Sequence, residues 1–122
     1  MTVEEFNNTF KEGDILRIRQ WILVFSRTGS DEFHQGYHAI EYHALYSTNN
    51  PHTIEVRTSP GIGFVESGSN QQVRFATNQE KKEFYNALAV KLGLAWDEDA
   101  KAFTPLEPVV TIDDMTGGTL NI

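Results

Sequence analysis

Val73-Arg74-Phe75-Ala76-Thr77-Asn78-Gln79-Glu80-Lys81-Lys82-Glu83-Phe84-Tyr85-Asn86-Ala87-Leu88-Ala89-Val90-Lys91-Leu92-Gly93-Leu94-Ala95-Trp96 is the stretch that decides the fold. Thr77 and Glu80 stand in the S/T-x-x-E spacing of a capping box, in which each residue satisfies a free backbone N–H of the other at a helix start. Phe84, Leu88 and Leu92 follow at i, i+4 and i+8 with Ala87 on the flank, and Gly93 supplies the left-handed cap. The spacing predicts a helix over 78–92. Residues 73–76 read as a short strand leading into it. Leu94-Ala95-Trp96 and Lys101-Ala102-Phe103 flank the polar Asp97-Glu98-Asp99-Ala100, which predicts a hairpin with Leu94 opposite Phe103 and Trp96 opposite Lys101. In that register Leu94, Trp96 and Phe103 pack beneath the helix and the Lys101 ammonium lies near the indole.

Working outward, Thr2-Val3-Glu4-Glu5 is a second capping box, and Val3, Phe6 and Phe10 recur at helical spacing, so a short helix is expected over 3–10. Residues 15–27 are rich in β-branched and aromatic side chains and predict one strand, or two bent near Gln20. Its second half, Trp21-Ile22-Leu23-Val24-Phe25, is apolar throughout, as in a central strand covered on both faces. Residues 28–36 read as a loop. Residues 37–47 form a long strand with His38, Ile40, Tyr42, Ala44 and Tyr46 on its core face and Tyr37, Ala39, Glu41, His43 and Leu45 on the other. Ser59-Pro60-Gly61-Ile62 suits a type II turn, which predicts a hairpin over 53–65. The expected fold is α+β: a strongly bent antiparallel sheet of five or six strands, or a partly open small β-barrel, with one main helix packed on it and a C-terminal hairpin. Residues 1–104 make the globular domain. Residues 105–122 are an acidic tail, in which Val109-Val110-Thr111-Ile112 is the candidate edge strand.

Composition narrows the function classes. The chain has 122 residues, enough for one core, and no cysteine, which excludes disulfides, thiolate zinc sites and cysteine nucleophiles. Ten Lys and Arg stand against 17 Asp and Glu, a net charge of −7 that disfavours phosphate polyanions as partners. Residues 94–122 hold six acids and one lysine, so −5 of that charge lies in the last quarter of the sequence. The first ten residues carry Glu4 and Glu5 and no signal-like apolar run, and the longest apolar run is five residues where a spanning helix needs about 20. The expectation is a cytoplasmic protein without membrane contact.

Candidate chemistry is sparse. His34, His38, His43 and His52 lack any H-x-H or HExxH spacing, so no metal or other cofactor is expected. Strict alternation places Glu41 and His43 on one face, where a carboxylate orients an imidazole for base work in a small hydrolase or lyase; an ordinary solvated strand face is the reading preferred. Arg17 and Arg19 are expected on one strand face, and with Arg27, Arg57 and Arg74 joining them and Tyr37 or Trp21 as the stacking ring they outline a grip for single-stranded nucleic acid. Against it stands the surplus of carboxylates available to pair with these arginines. Phe25, Phe75, Phe84, Trp96 and Phe103 are assigned to the core. Gly61-Ile62-Gly63 is no dinucleotide fingerprint, because Glu66 replaces the third glycine and no helix follows.

The segment from Val73 through the Ala76-Thr77-Asn78-Gln79-Glu80-Lys81 helix start, together with Trp96-Asp97 and Lys101, resembles the closing module of small uncharacterised proteins encoded by bacterial phages and mobile elements. Gly13-Asp14-Ile15-Leu16 and Trp21-Ile22-Leu23-Val24-Phe25 are similar to the opening strand of that group. The matching segments cover about half the chain. This sequence departs from the group in its longer 28–72 segment and its acidic tail. The resemblance implies a fold and a setting, and no activity. The expectation is therefore a non-enzymatic protein-interaction module, self-associating or engaging a partner through an edge strand such as Val109 to Ile112.

Overall fold

Residues 3–29, 37–66 and 73–106 are described by the structure, a computed structural model. Helix α1 (Val3–Thr9) precedes strands β1 (Ile15–Ile18), β2 (Trp21–Gly29), β3 (Tyr37–Ser47), β4 (Ile54–Glu66) and β5 (Val73–Phe75). Helix α2 (Asn78–Ala87) continues into a π turn (Leu88–Leu92), followed by β6 (Leu94–Asp97) and β7 (Ala102–Pro105). The class is α+β. Strands β4-β3-β2-β1-β5 form one antiparallel sheet in that order, and β6 and β7 pair as a second. The sheet is open among the described residues: β4 and β5 are its two edges, and no closed barrel forms.

The apolar run in β2 explains the layering. Ile22 and Val24 point to one face with Ile15, Ala44 and Tyr46, and that face is covered by Phe84, Ala87 and Leu88 of the α2 segment and by Trp96. Leu23 and Phe25 point to the other with Leu16 and Ile18, covered by Phe6 of α1 and Phe10 just beyond it. A strand apolar at every position is thus buried on both sides, as the sequence predicts. The Phe6 and Phe10 rings meet tilted at 55° with centroids 4.9 Å apart, and Phe6 meets Phe25 with centroids 5.7 Å apart.

Both halves of the Thr77–Glu80 capping box form: the Glu80 N–H donates to Thr77 Oγ1 at 3.1 Å and the Thr77 N–H donates to Glu80 Oε1 at 2.8 Å. Gly93 closes the far end with a φ of 65°. The intervening helix is not uniform. The last turn is π, which advances each residue less around the axis than an α turn does, so the i+8 position drifts off the buried stripe. Phe84 and Leu88 are fully buried, whereas Leu92, expected beside them, is half-exposed.

Four further expectations give way. Arg19 is not on a strand face; it takes a left-handed φ of 55° in the two-residue turn between β1 and β2. The C-terminal hairpin pairs Trp96 with Phe103 and Leu94 with Pro105, two residues later than predicted, because Lys101 adopts a φ of 54° and joins the turn. Its side chain lies against Gly13, where an added Cβ would begin 3.0 Å from Lys101 Cγ, and not beside the indole. Phe75 is half-exposed at the sheet edge, touching Phe10 at 5.0 Å. The predicted hairpin over 53–65 is instead one strand, β4, paired with β3 over 54–56 and again over 61–66. Residues 30–36, the side chain of Tyr37, and the tail segment containing Val109 and Ile112 lie outside the described residues.

Candidate functional site

The arginines expected to form a nucleic-acid grip are drawn into ion pairs. Arg17 on β1 and Arg74 on β5 are cross-strand partners, on the face that α2 starts from. Arg74 makes a two-pronged contact, Nη1 to Glu80 Oε1 and Nη2 to Oε2, both 2.8 Å, and Arg17 Nη1 reaches Oε2 at 3.0 Å. Arg74 above all holds the Glu80 carboxyl down at about 2, against the effect of burial and helped by the Thr77 N–H and the Arg17 charge. Two guanidiniums therefore meet one carboxylate, at the N-terminal end of a helix that favours negative charge. Arg27 pairs with Glu41 at 3.1 Å, and Arg57 with Glu55 at 3.1 Å. Of the arginines named, Arg19 alone has no acidic partner among the described residues.

Glu41 and His43 do not come together as a dyad. A register shift between Tyr42 and Ala44 breaks the alternation: Ile40 and Tyr42 belong to the α1 side, Ala44 and Tyr46 to the α2 side. Glu41 binds Arg27, and His43 Nε2 meets Glu12 Oε2 at 3.0 Å. Across from His43, β4 swings outward: Ala44 faces Val56 and Tyr42 faces Gly61, leaving four residues of β4, Arg57 to Pro60, against one of β3. A shallow, open cavity of about 350 Å³ lies along Glu55 to Ser59. The Tyr42 ring fills the space over Gly61, where a Cβ would stand 2.7 Å from Tyr42 Cζ. Burial raises the Tyr42 phenol, and the charge of Glu55 raises it further, while Arg57 works the other way.

A second polar group was not singled out by sequence. Tyr46 is buried, and its hydroxyl donates to Glu83 Oε2 at 3.1 Å and meets His52 Nδ1 at 3.2 Å. The His52 ring stacks on Tyr46 with centroids 6.0 Å apart, and Lys91 Nζ donates to the His52 carbonyl at 2.5 Å. These bonds tie the β3–β4 connection to α2. Glu12 and Glu83 were missed because each meets its partner from far away in sequence, 31 and 37 residues off. The core position of Tyr46 was the only available signal for the second group. Among the described residues no cluster of three or more histidines and acids is placed to hold a metal ion, and no helix is long and apolar enough to cross a membrane. No protein-family model matches the chain, and no curated protein or solved structure matches it either.

Proposed function

We propose that the chain is a non-enzymatic protein-interaction module that accepts a strand along an open edge of its sheet, from a protein partner or from a second copy. The observation that carries this reading is the outer edge of β4. The strand runs for 13 residues, pairs with β3 on one side, and has no strand on the other among the described residues. A long edge of this kind presents backbone donors and acceptors as a template for β-addition. Ile62, which is 57% exposed, offers an apolar side chain beside that template. The resemblance of 73–88 to phage and mobile-element proteins supports an accessory role in that setting.

The arginine pairing favours this reading over nucleic-acid binding, since Arg17 and Arg74 spend their charge on Glu80. The separate partners of Glu41 and His43 favour it over hydrolysis. Light scattering coupled to size exclusion tests it on the full chain and on Ile62→Lys, a charge of the type that blunts sheet edges. The expected result is a dimer that Ile62→Lys dissociates. A dimer indifferent to Ile62→Lys would remove β4 from the interface, and a monomer would leave a different protein as the strand donor.

A further inference from the structure

The open β4 edge is self-complementary at one point. The Ser47 N–H donates to the Thr53 carbonyl at 2.9 Å, so Ser47 and Thr53 are a hydrogen-bonded pair at the start of the β3–β4 ladder. Such pairs recur at every second residue of an antiparallel ladder, which makes Leu45 and Glu55 the next one. Glu55 therefore directs its N–H and C=O to β3, while Ile54 and Val56 turn theirs outward to the open edge. The side chains divide in the same alternation. Ile54 and Val56 are half-buried against the α2-side core, and Glu55 and Arg57 stand exposed on the other face, paired at 3.1 Å.

We propose that the strand laid along β4 is β4 of a second copy of this chain, antiparallel, with the two-fold axis at Val56. The proposal rests on the reading of β4 as the accepting edge and names its occupant. About that axis the outward N–H and C=O of Val56 meet those of Val56 in the second copy as a hydrogen-bonded pair, and Ile54 meets Thr58 in the same way. Glu55 then stands opposite Arg57 of the second copy, and Arg57 opposite its Glu55. These are non-hydrogen-bonded pairs, with Cα atoms about 4.5 Å apart, the closest approach an antiparallel sheet gives two facing side chains. Each arginine exchanges a carboxylate on its own strand for one across the interface. The charges also select this axis over its neighbours: moved to position 55 it sets Glu55 against itself, and moved to position 57 it sets Arg57 against itself. Counted along the strand, Ile62 falls opposite position 50 of the second copy, beside its β3–β4 connection.

Charge reversal on the full chain, read by light scattering coupled to size exclusion across a dilution series, tests the axis. The native chain should form a dimer. Glu55→Arg alone and Arg57→Glu alone each place like charges opposite one another on both sides of the axis, and each should weaken the dimer at least about tenfold. An equimolar mixture of the two variants restores both opposite-charge pairs and should associate to within about threefold of the native chain. The double variant, Glu55→Arg with Arg57→Glu, carries both pairs reversed and should dimerise as the native chain does, which also covers the case of a single variant that fails to fold. A native monomer would overturn the proposal and leave the strand to a different protein, with the β4 reading intact. Single variants that dimerise like the native chain, or a mixture no stronger than its components, would overturn it as well, and Ile62→Lys then decides separately whether β4 is the interface.

Discussion

The two edges of the main sheet use the same chemistry, a guanidinium against a carboxylate, to opposite effect. At the β5 edge, Arg17 and Arg74 come from two strands and converge on Glu80 of α2, so one carboxylate joins β1, β5 and the main helix. At the β4 edge, Arg57 and Glu55 lie two residues apart on a single strand, each 47% exposed by side chain, and their contact joins no second element. An ion pair holds a fold together only to the extent that its partners would otherwise move apart. The β5 edge is therefore locked to the helix, while the β4 edge carries no such tie, and that contrast supports the proposal of β4 as the interaction surface.

The largest effect is expected at the locked edge. Glu80→Ala removes both ion pairs and half of the capping box, leaves Arg17 facing a helix N-terminus, and should cost about 3 kcal/mol of unfolding free energy. Urea unfolding checks this, and a loss within the range of ordinary surface substitutions would break the comparison. Acidity probes the same carboxylate. Its folded pKa of about 2 lies below the ordinary 4.5, so its contribution is complete above 4.5 and drains away as pH falls toward 2. The urea midpoint of the native chain should fall through that window, and Glu80→Gln should flatten the fall while lowering the midpoint at neutral pH. A native midpoint that stays level from 4.5 to 2 would contradict the assignment.

The locked edge was legible from sequence in its local half. Thr77 and Glu80 are three residues apart, the range over which a backbone motif writes itself in the sequence, and the apolar run at Trp21 to Phe25 announced a strand buried on both faces. The distant half was not: nothing in the residues near Arg17 indicates that its carboxylate comes from position 80. The β4 edge misled for a different reason. Ser59-Pro60-Gly61-Ile62 carries the residues of a type II turn, yet Gly61 and Ile62 pair with Tyr42 and Glu41 of β3, and the unpaired excursion is Arg57 to Pro60. That excursion faces His43, and the resulting shift exchanges the faces of β3, which is why alternation placed Glu41 and His43 together when their partners lie apart. The π turn hid for a related reason, since one residue's difference in helical phase leaves the apolar spacing intact while releasing Leu92 to solvent.

A middle-sized effect is expected where the excursion rejoins the strand. At Gly61 a methyl group would meet Arg57 Cδ at 2.6 Å and the Tyr42 ring at 2.7 Å. The arginine end can swing away, but Tyr42 is buried in the α1-side core, so Gly61→Ala should cost about 1–2 kcal/mol through overpacking. Gly63→Ala is the control, because there the nearest atom is Tyr42 Cε2 at an ordinary 4.0 Å. Its stability should match the native chain or slightly exceed it. Equal losses at the two positions would mean that the Tyr42 ring does not close over Gly61, and that β4 is held along its length by backbone pairing alone.

The smallest effect is expected from the pair at the open edge, and it sharpens the comparison most directly. Arg57→Ala and Glu55→Gln, alone and together, should give a coupling energy of no more than about 0.5 kcal/mol, as for exposed pairs generally. The same double-mutant cycle on Arg74 and Glu80 should return a clearly larger coupling, since that contact is two-pronged and its carboxylate is mostly shielded from water. Comparable couplings would mean that Arg57 and Glu55 fix the excursion from Arg57 to Pro60 in place, and the β4 edge would then be as locked as its opposite. A small coupling leaves the Arg57 and Glu55 side chains free to move aside, as the proposed addition of a strand along β4 requires, while Tyr42 stays packed over Gly61.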